Sequence, residues 1–486
     1  MKFKTLIFAT IAALTCFTAC SDDDDDASAT APSLVSSTPA HADTGVSVDL
    51  TEIVLTYDQN VYCLGDFDFN GTTLALSKCT ISGTTVTVDI SDIDLESGTK
   101  YTLTIPAGKI LSENQAASAD EHSIIFYTEE AEEEEIAVDL DDTPVMAANF
   151  EAGLELYEFL VENYGSYTIS ATMANVAWNF DEAKLVYAAT GKYPKIATMD
   201  YIHLFTMRDD WTNQWWVVDY TDIDDVKAWN DAGGYLSASW HWNVPLYEGI
   251  DVASDGSSYT YEPGSTTFSA SNVYTEGTWE YEQALGDLEV LTTCLKTLQD
   301  EGIALIWRPL HEAAGNYYAK SYIGTAWFWW GYEGPEVYVK LWQYVYNYLA
   351  DQGINNLIWV WTTQSVTDSS YGDDDDYYPG DDYVDIIGID IYTNTAAYCA
   401  KQFKNLQKKY PNKLITLSEC GSVGNISDQW AAGGCWSYFM PWYTYDVEDL
   451  SEHEHADTDW WTDAMNSEYV ITLDGTPSFT EDEDEE

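Results

Sequence analysis

The chain is predicted to be α/β: a (β/α)8 barrel of the TIM type, preceded by a small all-β sandwich. Three observations carry this prediction. From Pro144 onward, eight apolar runs of strand type alternate with segments of helical period. Between Ser33 and Thr128, about seven short runs of alternating or β-branched residues are separated by Asn70-Gly71, Ser82-Gly83 and Ser97-Gly98 turn signals. Each of the eight runs in the longer region ends in polar or aromatic residues, at the end of the strand where a barrel of this class carries its active site.

Taken in order, the chain begins with Lys2 and Lys4, an apolar run from Leu6 to Phe17, and Thr18-Ala19-Cys20. The run is too short to span a bilayer and reads as a signal peptide over 1–19. Small residues before a cysteine resemble a bacterial lipobox, which makes Cys20 the expected site of lipidation. The acidic tether, 20–32, holds Asp22 to Asp26 and is similar to the export tag of surface lipoproteins. A lipid-anchored, surface-exposed location at the outer membrane is therefore expected. The formal charge, 19 − 83 = −64, repels nucleic acid and anionic lipid and suits a neutral substrate. A monomer is expected, with no nucleic acid partner. Of the six cysteines beyond Cys20, Cys63 and Cys79 fit a bridge in the small domain, with buried free thiols as the default.

The stretch 33–128 carries STPAHADTGVSVDLTEIVLTYDQNV and SGTKYTLTIPAGKI, which resemble bacterial immunoglobulin-like domains. It contains no cluster of catalytic residue types and reads as a spacer, with glycan binding as the alternative. An acidic linker, 129–143, leads to the barrel region, 144–474, and an acidic tail, 475–486, follows. Helical faces occur at Leu154 to Tyr164, at Leu288, Leu291, Leu295 and Leu298 before Gly302, and at Val337 to Asp351 before Gly353. The strand runs are Thr168 to Ala174, Lys195 to Leu204, Gly234 to Trp242, Ile303 to Glu312, Asn356 to Thr362, Val384 to Tyr392, Lys413 to Cys420 and Trp436 to Trp442.

Strand alternation places Ser239 with His241, Arg308 with Glu312, and Asp390 with Tyr392 on shared inward faces. Polar groups there are costly unless they pair or serve a site. Glu312 and Glu419 end the fourth and seventh runs, on opposite sides of the barrel mouth. Two carboxyls about 5–5.5 Å apart cleave a glycosidic bond with retention, one protonated and one ionised. Glu312, beside His311 and the aromatics from Trp327 to Trp330, is the expected acid. Glu419 is the expected nucleophile, with Tyr392 as its donor. A single glutamate at a strand end is often only an arginine's partner. Two of them, with His241, His311, Asp390 and Tyr392, argue for a site.

The motifs WRPLHEAAGN, AWFWWG, NNLIWVWTTQ, YYPGDDYVDIIGIDIY and ITLSECG together resemble glycoside hydrolase family 26, over about Pro144 to Thr472. The resemblance implies a retaining endo-β-1,4-mannanase with no cofactor or metal, acting on mannan, galactomannan or glucomannan. It implies Glu312 as acid/base and Glu419 as nucleophile, with His241 and His311 lining the cleavage subsite. It further implies that Asp390 and Tyr392 position sugar and nucleophile, and that Trp327 or Phe328 and Trp442 are sugar platforms; Arg308, on the inward face of its strand, is expected to support the site. Trp442 is preferred to Trp436 because it ends its run. Residues 317–325 separate the acid from the aromatics, a departure from many members. The alternatives are the same chemistry on β-1,3-xylan or mixed-linkage glucan, and a surface glycan-binding lipoprotein without activity. Weaker signals are an aspartate-rich loop, Gly372 to Asp382, read as solvated rather than calcium-binding; a metal pair at His453 and His455; and Trp211, Trp215 and Trp216, as loop core or distal platform.

Overall fold

The structure is a computed structural model of the chain, and it describes residues 30–129, 136–174, 178–208, 217–251, 256–315, 326–364, 374–445 and 447–479. The signal peptide, Cys20, residues 317–325 and Trp211, Trp215 and Trp216 lie outside the described residues. The chain divides into two compact units, Met1–Glu135 and Ile136–Glu486.

The first unit is a β-sandwich. One sheet orders Leu34–Thr38, Glu52–Tyr57, Thr85–Asp89 and Cys79–Ser82. The other orders Asp43–Val46, His122–Thr128, Lys100–Ile105, Phe67–Phe69 and Thr72–Leu74. Alternation decides which side chains fill the space between them: Ile53, Leu55 and Tyr57 from one strand, Tyr101, Leu103 and Ile105 from another. Eleven strands occur among the described residues where about seven were expected, because several are only three or four residues long and show no clear alternation. Cys63 and Cys79 carry free thiols joined by a hydrogen bond, not a disulfide.

The second unit is a closed barrel of eight parallel strands, as the sequence predicts. They are β1 (Thr168–Met173), β2 (Ile196–Asp200), β3 (Tyr235–Trp240), β4 (Leu305–Pro309), β5 (Leu357–Thr363), β6 (Ile386–Tyr392), β7 (Leu414–Gly421) and β8 (Tyr438–Pro441). Pairing of Ile169 with Tyr438 closes the ring between β1 and β8. The helices Trp279–Asp300 and Pro335–Asp351 cover the outside with the apolar faces read from the sequence, whereas Glu151–Asn163 packs Leu156, Tyr157 and Leu160 into the cluster that fills the barrel interior. At the start of Trp279–Asp300, the Thr278 hydroxyl accepts from the N–H of Tyr281 at 3.2 Å.

The barrel interior is filled in layers by period-two residues: Ile169 and Ala171, Ile196, Ile306, Ile358 and Val360, Ile386, Leu414, Tyr438 and Met440. The same alternation, carried one step further up each strand, brings Asp200, Ser239, Arg308, Thr362, Asp390 and Ser418 to the inward face at the C-terminal ends. By parity Glu419 would point outward. A register shift beside Ser418 corrects this: Ile389 pairs with Leu417, but Asp390 pairs with Glu419. The extra residue re-aims the strand, so both Ser418 and Glu419 reach the interior.

Two boundaries differ from expectation. The stretch expected as linker, 129–143, is divided by the unit boundary after Glu135, and its second half is tied to the barrel. The N–H of Asp139 donates to Pro411 O at 3.0 Å, and Asp141 pairs at 2.6 Å with the buried ammonium of Lys413. The expected acidic tail begins inside the fold. Its Phe479 packs at a tilt on Phe180 and stacks on Trp229, which buries aromatic surface that the acidic composition obscured.

Candidate active site

The site is built outward from Arg308, which is 2% exposed at the end of β4. Its Nη1 donates to Glu419 Oε1 at 2.6 Å and its Nη2 to Asp390 Oδ2 at 2.5 Å. Nε donates to Thr362 Oγ1 at 2.8 Å, and Nη1 also reaches Ser239 Oγ at 3.4 Å. A planar fork suits this arrangement, since one cation meets groups from four other strands at once. The remaining oxygens are also occupied. Ser418 Oγ donates to Asp390 Oδ1 at 2.7 Å, and the Tyr392 hydroxyl donates to Glu419 Oε2 at 2.9 Å. Glu419 is therefore held by a donor on each oxygen, one of them charged.

Glu312 is reached differently. The sequence placed it on the fourth strand, sharing a face with Arg308; the structure corrects this. The strand ends at Pro309, and the chain turns through Leu310 (φ 47°) and Glu312 (φ 50°). Left-handed geometry is unfavourable for such side chains and persists only where the surroundings fix it. Here the Tyr338 hydroxyl donates to Leu310 O at 3.0 Å, and Trp330 Nε1 donates to His311 O at 2.9 Å. The small residues Ala313, Ala314 and Gly315 follow because the turn is packed tightly: Gly331 lies against the carbonyl of Ala313, and the Trp327 ring lies on Gly315.

Glu312 and Glu419 each place a carboxylate oxygen, with one of Asp390, in a group no more than 4.8 Å across. Their environments are unlike. Glu312 receives the amide of Gln364 at 3.0 Å and a hydrogen bond shared with Asp390, but no direct cation. Loss of water, followed by the charges of Asp390 and Glu419, pushes its carboxyl well above the usual range, against the pull of Arg308. That environment favours its protonated form. Burial also raises Asp390, with Arg308 opposing. The three carboxyls have spacing suited to a metal, but Arg308 already supplies the positive charge between two of them.

His241 donates through Nδ1 to the fully buried Asp200, which also accepts the His241 N–H at 3.1 Å. Its Nε2 faces His311 Nε2 at 3.3 Å. With Asp200 taking the Nδ1 proton, His241 accepts and His311 donates. Burial first, then Arg308 and His241, hold His311 well below the ordinary histidine range, so its ring is neutral. Phe328 packs on both histidines, with centroids 5.5 Å and 5.2 Å away, and stacks on Trp330. Trp442, half-buried, lies 6.1 Å from His241. Trp327 is 36% exposed at the rim. Trp436 is fully buried and donates to Gln429, which removes it as a platform.

The structure thus brings together His241, Arg308, His311, Glu312, Phe328, Asp390, Tyr392, Glu419 and Trp442, and Trp327 lies on Gly315, three residues after Glu312. Sequence reasoning assigned no role to Asp200, Thr362, Gln364 or Ser418. Asp200 ends β2, Thr362 and Ser418 lie on the inward faces of β5 and β7, and Gln364 follows β5 two residues after Thr362, so extending the alternation would have found them. The aspartate-rich loop is not simply solvated. Asp374 is buried and accepts from Thr363 Oγ1 and the Gln364 N–H, both at 2.6 Å, which fixes the residue that donates to Glu312. Asp375 pairs with Lys409, and Asp381 accepts from Tyr378 at 2.7 Å. Of the two histidines that carried only a weak metal signal, His453 is engaged within the fold: its Nδ1 accepts two backbone N–H groups and its Nε2 faces Glu182.

Residues 147–474 match the family model described as Glycosyl hydrolase family 26. The chain belongs to glycosyl hydrolase family 26. Residues 28–128 match a Bacterial Ig-like domain model. Within family 26, the chain is 42% identical to the GH26 domain of an endo-beta-mannanase/endo-beta-glucanase from Prevotella bryantii, over 69% of this chain and 99% of that one, with a TM-score of 0.64. It is 30% identical to a beta-mannanase from a symbiotic protist of the termite Reticulitermes speratus, over 70% and 99% of the two chains, with a TM-score of 0.57. It is 31% identical to mannan endo-1,4-beta-mannosidase B of Piromyces sp over 353 residues, 70% of this chain and 54% of that protein. The chain spans about half the length of the first curated relatives it matches.

The central ion pair is directly testable. Arg308→Met leaves Asp390 and Glu419 buried without a cation, and should lower the melting temperature by an amount equivalent to about 3–5 kcal/mol. Hydrolysis should fall by about 10²–10³-fold. Calorimetry and a reducing-end assay measure the two effects; wild-type values in both would show that the cluster does not depend on this charge.

Proposed function

We propose that the chain is an endo-acting retaining glycoside hydrolase that cleaves β-1,4-mannosidic bonds by double displacement. The observation that carries this is the pair of carboxyls whose oxygens lie within 4.8 Å and whose surroundings differ, Glu419 held by Arg308 and Tyr392, Glu312 driven to its protonated form. Mannan is supported by the relatives of Piromyces sp, which are mannan endo-1,4-beta-mannosidases.

Sugar lies across the barrel mouth, against Trp442 and Phe328, with Trp327 further out. Glu419 Oε attacks the anomeric carbon as the glycosidic bond breaks, and the proton of Glu312 passes to the leaving oxygen. Glu312, now ionised, takes a proton from water, whose oxygen displaces Glu419 with a second inversion. Asp390 shares a hydrogen bond with Glu312 and holds the Arg308 fork. Asp200 orients His241, and His241 with the neutral His311 lines the cleavage point.

We also propose that the chain is exported, lipidated at Cys20 and held at the outer membrane facing outward, as a monomer, with the Ig-like unit as a spacer. The support is the N-terminal pattern of Lys2, Lys4, Leu6 to Phe17 and Ala19-Cys20. Among the described residues no helix is long and apolar enough to cross a membrane.

Replacing either glutamate tests the catalytic reading. Glu419→Ala should abolish release of reducing ends from mannan, a loss of about 10⁴-fold or more. Glu312→Ala should lose about 10²–10⁴-fold on mannan but much less on an aryl glycoside whose leaving group needs no proton. Activity should decline as pH rises through the raised value of Glu312, and Glu312→Gln should lose that limb. Wild-type protein that binds mannan but releases nothing, or acts on β-xylan or β-glucan instead within the same assay panel, would replace this reading. Separately, Cys20→Ser should move the protein from the membrane to the soluble fraction of cells expressing it; unchanged fractionation would refute the anchor.

A further inference from the structure

The SEHEH stretch, 451–455, has no part in the steps above, yet it lies against the nucleophile's donor. Tyr392 is 38% exposed, so solvent alone does not hold its ring. Its hydroxyl nonetheless donates to Glu419 at 2.9 Å. The edge of the His455 imidazole meets the Tyr392 ring at 5.6 Å between centroids and 74° between planes. Both rings rest on the bare Cα of Gly421, two residues beyond Glu419. A Cβ there would come within 2.7 Å of the Tyr392 ring and collide with His455 Nδ1.

The brace is itself anchored. The carbonyl of His455 accepts from the N–H of Ser422 at 2.8 Å, and Ser422 Oγ donates to Glu454 O at 3.0 Å. The N–H groups of His455 and Ala456 donate to His453 Nδ1 at 3.2 and 3.0 Å. His453 must therefore carry its proton on Nε2, which donates to Glu182 Oε2 at 3.2 Å. Glu182, buried on the helix Asp181–Thr190, also accepts from the N–H of Thr444 at 3.3 Å. The loop after β8 is thus pinned before and within the histidine motif.

We propose that His455 is a positioning residue for Tyr392, holding the hydroxyl on Glu419 through ring packing, with His453 and Glu182 fixing the loop that presents it. This rests on the reading of Glu419 as the nucleophile. The charged and titratable groups facing the pair are Glu419, Asp390, Glu312 and Arg308 from the barrel, and Glu182, His453 and Glu454 from the other side. Burial, then Glu419 and Asp390, raises the Tyr392 phenol, which keeps it a donor.

The test compares His455→Ala, His455→Phe, Tyr392→Phe and the Ala/Phe double variant in the full chain. The measurements are kcat and KM on a mannan oligosaccharide, melting temperature, and the pH profile of kcat/KM. His455→Ala should lower kcat by about 3- to 10-fold, the size of one aromatic pair, with KM within about twofold. A hydrogen bond to an ionised carboxylate favours that form, so the acid limb of the carboxylate cluster should move to higher pH, as in Tyr392→Phe. His455→Phe, which keeps a ring edge, should restore both, and the Ala change should add nothing in the Tyr392→Phe background. An unmoved acid limb, an effect on KM alone, or an equal loss with and without the Tyr392 hydroxyl would each overturn the proposal. If His455→Ala does not fold, His455→Leu fills the space without a ring edge, and a wild-type pH profile there overturns it equally. If wild type releases no reducing ends, it is the nucleophile reading that fails.

Discussion

A guanidinium with 2% exposure at the centre of a barrel is the constraint on which the site depends. Stripping water from Arg308 is costly, and two carboxylates plus two hydroxyls from neighbouring strands offset that cost. The fork therefore joins β4 to β3, β5, β6 and β7 through side chains. Breaking any one arm leaves a buried polar group without its partner. The same arrangement separates the two glutamates chemically. Asp390 and Glu419 share the only cation in direct contact with the cluster among the described residues, and Glu312, outside the fork, is left to keep its proton.

Support around this centre is layered. Asp200 sets the orientation of His241, Ser418 holds the free oxygen of Asp390, and Asp374 fixes Gln364 against Glu312. Each is a short side chain: Asp200 ends β2, Ser418 lies within β7, and Asp374 precedes the turn Asp375–Tyr377. The aromatic surfaces lie outside that shell, with Phe328 on the histidines and Trp442 beyond. A neutral glycan is compatible with the large negative charge of the chain, since attraction comes from stacking and hydrogen bonds and not from the long-range field.

Much of this was legible in the residues. The eight strand runs and the polar ends that carry Glu312 and Glu419 follow from periodicity, because a two-residue repeat marks where a strand runs and which face most of its side chains take. The departures occur where that repeat is broken. Glu312 lies beyond its strand, in a turn held by Tyr338 and Trp330 from distant sequence. Glu419 reaches the interior only through the irregularity at Ser418, which no local propensity announces. Acidic composition places Phe479 and Asp141 in tail and linker, yet each makes specific contacts that composition averages away. His453 and His455 have the spacing of ligands, but partners remote in sequence use them for loop anchoring and ring packing instead.

The central claim is that the glutamate gripped by Arg308 and Tyr392 is the one that attacks. The most direct measurement is covalent trapping with an activated 2-deoxy-2-fluoro-mannoside or mannobioside, followed by peptide mapping by mass spectrometry. The account requires a glycosyl adduct on the peptide that carries Glu419, formed once per chain. An adduct on the Glu312 peptide, or no adduct together with an inverted first product, would contradict it.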